Sequence, residues 1–169
     1  MGAIFALPFI VFLVTESLFF PFITGKNFAF RILVEIMTGA WLALAFVNPA
    51  YRPRKQWLLG AFAAFVLILA LADAFGVFPF KSFWSNFERM DGWVTLVHLF
   101  AFFTVASSVL TEKLWRIFFQ VTLGVSVLVG LHALLQLFGF VSLNPGFSSA
   151  ARLDATFGNP IYLAVYMLF

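Results

Sequence analysis

The chain has no cysteine among its 169 residues. That excludes disulfide staples and thiolate metal ligands and leaves either redox compartment open. Charge is also scarce: only 10% of the residues are Asp, Glu, Lys or Arg, against about a quarter in a soluble globular domain. The ten basic residues are scattered through short loops and never grouped with interleaved aromatics, so nucleic acid is excluded as a partner. No metal-ligand spacing, phosphate loop, zinc-protease helix or nucleophile elbow occurs. No metal or other cofactor is therefore expected, and metal-dependent or soluble-type hydrolase chemistry finds no support. Heptads, soluble repeats and low-complexity tracts are likewise missing.

What the chain has instead is hydrocarbon. Hydrophobic residues make up 63% of it, 26 of them phenylalanine, and the mean hydropathy is +1.04. Apolar runs of roughly 20 residues recur, the length that matches a bilayer core of about 30 Å. The expectation is an all-α polytopic transmembrane helix bundle forming a single region over 1–169, with about five full spans and a truncated sixth. The runs cover about 3–24, 28–47, 57–78, 93–110 and 114–140, with a partial run over 161–169. The first contains Pro8, Glu16 and Pro21 and lacks a basic leader or a small-residue cleavage site, so it reads as a retained span rather than a signal peptide. The second ends at Asn48-Pro49, where proline cannot continue a helix. The third is closed by Gly76 and Pro79, and the fourth and fifth are separated by the tight turn Thr111-Glu112-Lys113. Trp57, Trp93 and Trp115 fall at run ends, as in an interfacial aromatic belt.

Cytoplasmic loops retain an excess of Lys and Arg. The densest cluster, Arg52, Arg54 and Lys55, shares its side with Lys113 and Arg116, which makes that side and the amino terminus cytoplasmic. The opposite side carries Lys26, Arg31, Lys81, Arg89 and Arg152. Arg31, Arg89 and Arg152 each stand beside the start of an even-numbered span. Guanidinium groups keep their charge and present a planar fork of donors, so such a group suits the oxygens of a pyrophosphate-bearing lipid head group. Local pairing is the competing reading, with Glu35 one turn from Arg31 and with Glu88 and Asp91 flanking Arg89.

Three acidic residues, Glu16, Glu35 and Asp73, lie within apolar runs. A charge at the bilayer centre costs about 2.5–3.5 kcal/mol, so such residues face a partner or a wet cavity. His98 and His132 sit on separate spans without a ligand pattern and suit hydrogen bonding between helices.

Two stretches, Ser82-Phe83-Trp84-Ser85-Asn86-Phe87-Glu88-Arg89-Met90-Asp91-Gly92 and the segment Arg152-Leu153-Asp154-Ala155-Thr156-Phe157-Gly158-Asn159-Pro160-Ile161-Tyr162-Leu163-Ala164, resemble segments of the bacterial O-antigen ligase and O-antigen polymerase-like membrane proteins. The second is the more specific, an arginine followed by Thr-Phe-Gly-Asn-Pro and a new hydrophobic helix. It departs from many relatives in having Ile161 where they have a second asparagine. The resemblance is to the amino-terminal part of such enzymes, which have about twice as many spans and a large extracytoplasmic loop bearing further catalytic residues, including a histidine. Neither His98 nor His132 matches that histidine.

The resemblance implies a glycosyltransferase of lipopolysaccharide and cell-envelope biosynthesis in the bacterial inner (cytoplasmic) membrane. It would pass glycan from undecaprenyl pyrophosphate to an extracytoplasmic acceptor glycolipid or protein, with neither a metal nor a nucleotide sugar. Arg152 maps onto the family's loop arginine, Arg89 maps by the first stretch, and Arg31 is placed by topology. Displacing a pyrophosphate requires stabilising negative charge on the leaving group, and fixed guanidinium donors in a water-poor site can do so. On this reading the chain is an amino-terminal fragment, inactive alone, that a separately encoded carboxy-terminal half would complete. Two other classes compete: a transporter or flippase segment in which Glu16, Glu35 and Asp73 carry ions, and a structural membrane subunit.

Overall fold

The computed structural model describes residues 1–86, 89–140 and 152–169. Among these residues the chain is all-helical, without strands. Helix α1 (Gly2–Ala6) passes into a 3₁₀ turn at Leu7–Phe12. Then follow α2 (Thr24–Val47), α3 (Trp57–Ala74), the short α4 (Pro79–Trp84), α5 (Trp93–Val109), α6 (Glu112–Leu137) and α7 (Pro160–Leu168).

Three helices, α2, α3 and α6, are long and apolar enough to cross a membrane, and they make this a membrane protein. Their lengths of 24, 18 and 26 residues correspond to about 36, 27 and 39 Å. Helix α5 is apolar but has 17 residues, about 25 Å. Against the expectation of five full spans, three helices have full spanning length. The clearest difference is in the first run, 3–24, which is not one helix. It is helical only to Phe12, and Leu13 turns to extended geometry at φ −71° and ψ 119°. Residues 13–23 form turns, closed by bonds such as Thr15 N–H to the Pro21 carbonyl. Gly25 lets that segment approach closely, since a β-carbon there would lie 2.4 Å from Thr15 Oγ1.

Helices α2 and α5 run parallel: Arg31 meets Thr95, and one turn on Glu35 meets His98. Helix α3 runs antiparallel to α5, with Trp93 Nε1 donating to the Val66 carbonyl at 2.9 Å and Phe62 meeting Phe100 edge-on. Helix α7 returns along α6, where Ser126 bonds the Tyr166 hydroxyl and Leu163 packs on Val129 and Ala133. One core joins Ile4, Leu7, Val34, Met37, Val105, Ala106 and Leu110.

Outside that core α3 is apolar on every side up to Asp73 near its end. Helix α3 buries only Val66, while Phe65, Leu67, Ile68 and Leu71 are exposed. This is the surface of a helix solvated by lipid tails. The starts of α2, α5 and α7 and the ends of α3 and α6 gather at one end of the bundle. The Arg52–Lys55 cluster and Thr111–Lys113 lie at the other.

Candidate functional site

The site is built around an irregular backbone. Carbonyls of a non-helical segment have no ladder partners and must find donors elsewhere. Lys26, in the first turn of α2, supplies them. Its ammonium donates to the carbonyls of Leu13 and Phe22, both at 2.8 Å, and of Thr156 at 2.7 Å, and it lies 5.7 Å from the centre of the Phe157 ring. One cation thereby ties the 13–23 segment, α2 and the 152–160 segment together.

The Thr156-Phe157-Gly158-Asn159-Pro160 stretch is a helix start with a physical reason at each position. Gly158 has φ +65°, and a β-carbon there would fall 2.3 Å from the Phe22 ring, so both conformation and space demand glycine. Asn159 caps α7 by accepting the Ile161 N–H at 2.9 Å, and Pro160 takes the first helical position, where a missing N–H costs nothing. Upstream, Asp154 is 3% exposed and accepts from Gln136 Nε2 at 2.6 Å. The Gln136 amide oxygen accepts in turn from the N–H groups of Asp154 and Ala155. That grip holds Ala155 at φ +45°, a conformation rare for a residue with a side chain.

Arg89 faces this motif. Its guanidinium stacks on the Phe20 ring, 4.6 Å from the centroid, and its buried Nε has no hydrogen-bond partner among the described residues. Arg89 lines two adjoining cavities of about 160 and 320 Å³. The first is closed by Phe20, Pro21, Gly158 and Asn159. The second is walled by Lys26, Asn27, Asp91 and Phe157. Phe22, Ile23, Phe157 and Tyr162 line both. Asn27 braces the approach, donating to Asp91 Oδ1 at 2.7 Å and to the Arg89 carbonyl at 3.3 Å.

Arg31 plays a different part. It is 7% exposed, and its Nη2 donates to the Met90 carbonyl and, at 2.8 Å, to Thr95 Oγ1. That bond seats the 89–91 segment, where Met90 has φ +51°, against α2 and α5. Arg152 is exposed and lines neither cavity, although its own motif supplies the walls. Of the three arginines singled out in the sequence, Arg89 faces the cavities, Arg31 fixes the segment that carries it, and Arg152 stands outside.

The three acids of the apolar runs separate. Glu16 is exposed in the turn after Leu13. Glu35 is paired with His98. Asp73 is partly buried beside Pro79, Phe80, Trp84 and Trp93. Among the described residues no cluster of three or more His, Asp or Glu side chains is placed to hold a metal ion. Glu88, a candidate local partner of Arg89, lies outside the described residues, as do residues 141–151 of the loop expected over 141–160. No family model matches this chain, and no curated protein and no solved structure matches it.

Proposed function

We propose that the chain is the amino-terminal membrane half of an O-antigen-ligase-like glycosyltransferase that takes glycan from undecaprenyl pyrophosphate. The observation that carries this reading is that the two family-like stretches, far apart in sequence, wall the same cavities, with Arg89 from one facing Phe157, Gly158 and Asn159 from the other. A guanidinium whose buried Nε has no partner among the described residues, in an aromatic surround, is a strong partner for a phosphate oxygen, since the low local dielectric strengthens a charge-assisted bond. Arg89 is then the leaving-group contact. The exposed Arg152 is free to meet a second phosphate oxygen, and Arg31 and Lys26 position the cavity walls.

In this reading α2, α3, α5 and α6 each cross the bilayer. The α1-to-Phe12 segment enters as a broken fifth crossing alongside α6, supported by the Phe5–Phe118 ring contact, and α7 begins another. The Arg52 cluster faces the cytoplasm and the cavities face outward from the bacterial inner membrane, where an acceptor glycolipid or protein arrives. The remaining catalytic residues come from a carboxy-terminal half, in the same frame or separately encoded. Glycan transfer in cells carrying the complete protein tests the reading. Arg89→Lys should lower transfer severalfold or more with the protein still inserted, because a point charge cannot replace the planar fork; transfer near the wild-type level would overturn the assignment.

A further inference from the structure

Glu35 and His98 face each other between α2 and α5, with Nε2 and Oε1 3.2 Å apart. The other ring nitrogen, Nδ1, lies 2.7 Å from the Val94 carbonyl oxygen one turn back on α5. A carbonyl oxygen can only accept, so Nδ1 carries a hydrogen. In a neutral imidazole that makes Nε2 a bare acceptor, and an ionised carboxylate is an acceptor only. Two bare acceptors repel at this distance, so the contact requires one hydrogen between them. It sits either on Nε2, as imidazolium against carboxylate, or on Oε1, as a carboxylic acid donating to neutral imidazole. Both forms have zero net charge.

We infer that Glu35 and His98 form a binding site for a single proton, held between α2 and α5 on the side of the helix pair that faces lipid. The setting calls for neutrality. The Glu35 side chain is 67% exposed and that of His98 13%, midway along a membrane-crossing helix where net charge is costly. The pair opens on a cavity of about 300 Å³ whose other walls are Val34, Thr38, Gly39, Val97 and Ala101, none of which ionises.

The charged groups on the surrounding elements are few: Lys26 at the start of α2 is engaged by the Leu13, Phe22 and Thr156 carbonyls, and Lys81 of α4, which packs on α5, is exposed. Arg31, one turn earlier on α2, interacts electrostatically with both Glu35 and Asp91, but its Nη2 is engaged by Met90 and Thr95. Helix α5 has His98 alone. Helix α3 offers Asp73 at its far end, beside Trp93, and α1 only the amino group of the exposed Met1. Glu112, Lys113 and Arg116 stand at the opposite end of the bundle. Without that hydrogen the contact would set a carboxylate against a lone pair and leave a net charge. This inference stands without the glycan-transfer reading.

The test uses the full chain in lipid vesicles near neutral pH. ¹⁵N NMR of labelled histidine reports the protons on His98, assigned by His98→Gln. Infrared spectroscopy reports the carboxylic-acid C=O stretch of Glu35, assigned by Glu35→Gln. The expected result is one shared proton: a carboxylic acid with neutral Nδ1–H imidazole, or a carboxylate with imidazolium. A carboxylate with neutral imidazole, or a carboxylic acid with imidazolium, would overturn it. In Glu35→Gln the amide donates to Nε2, so His98 should be neutral there; an imidazolium persisting in that variant would also contradict the assignment.

Discussion

Gly158 presents its bare α-carbon to the ring of Phe22, so close that a β-carbon would lie 2.3 Å from Cδ2 and 2.9 Å from Phe22 Cβ. The contact fastens the start of α7 to the irregular segment ahead of α2. Gly158→Ala should destabilise the protein by about 2–4 kcal/mol, from the left-handed backbone at φ +65° and from overpacking. Thermal unfolding in detergent measures it. In a Phe22→Ala background the same substitution should cost only the backbone part, so an equal cost in the two backgrounds would contradict this account of the contact.

Lys26→Met removes the donor shared by the Leu13, Phe22 and Thr156 carbonyls while keeping a similar side-chain volume. Hydrogen bonds to a charged group contribute about 1.5–3 kcal/mol each, and three on one atom do not add. A loss of about 2–4 kcal/mol is expected. Hydrogen exchange should accelerate first in the amides of 155–158, and unchanged protection there would remove Lys26 from its bracing role.

Gln136→Leu strips the buried Asp154 carboxylate of its side-chain donor and frees two N–H groups. Burying such groups unpaired is expensive, about 1–3 kcal/mol each and more for a charge. Asp154→Asn, which keeps an acceptor for Gln136 Nε2, should cost less than Gln136→Leu. Denaturant unfolding of the two variants checks the order, and the reverse order would show that the cluster is not held as described.

Parallel α2 and α5 put residues 85 and 54 at opposite ends of the bundle. A cysteine at Ser85 should be labelled by an impermeant thiol reagent from outside intact cells, and one at Arg54 only after the membrane is opened. Labelling of Arg54→Cys in intact cells with protection at Ser85→Cys would invert the orientation.

Much of this architecture was legible from hydropathy, because counting apolar residues measures helix length well. The runs read at 28–47, 57–78, 93–110 and 114–140 became helices Thr24–Val47, Trp57–Ala74, Trp93–Val109 and Glu112–Leu137. The first run failed because hydropathy does not report backbone geometry. Its break after Phe12 depends on Gly25 admitting Thr15 and on Lys26 serving Leu13, both tertiary effects. In the sequence Lys26 reads as one more interfacial charge; its importance could have been suspected only from the non-helical carbonyls that need a donor. The Thr-Phe-Gly-Asn-Pro stretch was read as a family mark, and its local role as a capped helix start was available from the Gly, Asn and Pro alone. The Glu35–His98 pair needed the parallel register of two helices separated by about 60 positions in the chain, which no local pattern encodes.

We propose Arg89 as the cationic wall of a cavity for a pyrophosphate-bearing lipid. Equilibrium binding of undecaprenyl pyrophosphate to the chain in nanodiscs tests it most directly, with wild type compared with Arg89→Ala. The wild type should bind, and the variant should bind at least about tenfold more weakly, equivalent to about 1.4 kcal/mol. Equal affinity in the two proteins, or no binding by the wild type, would contradict it.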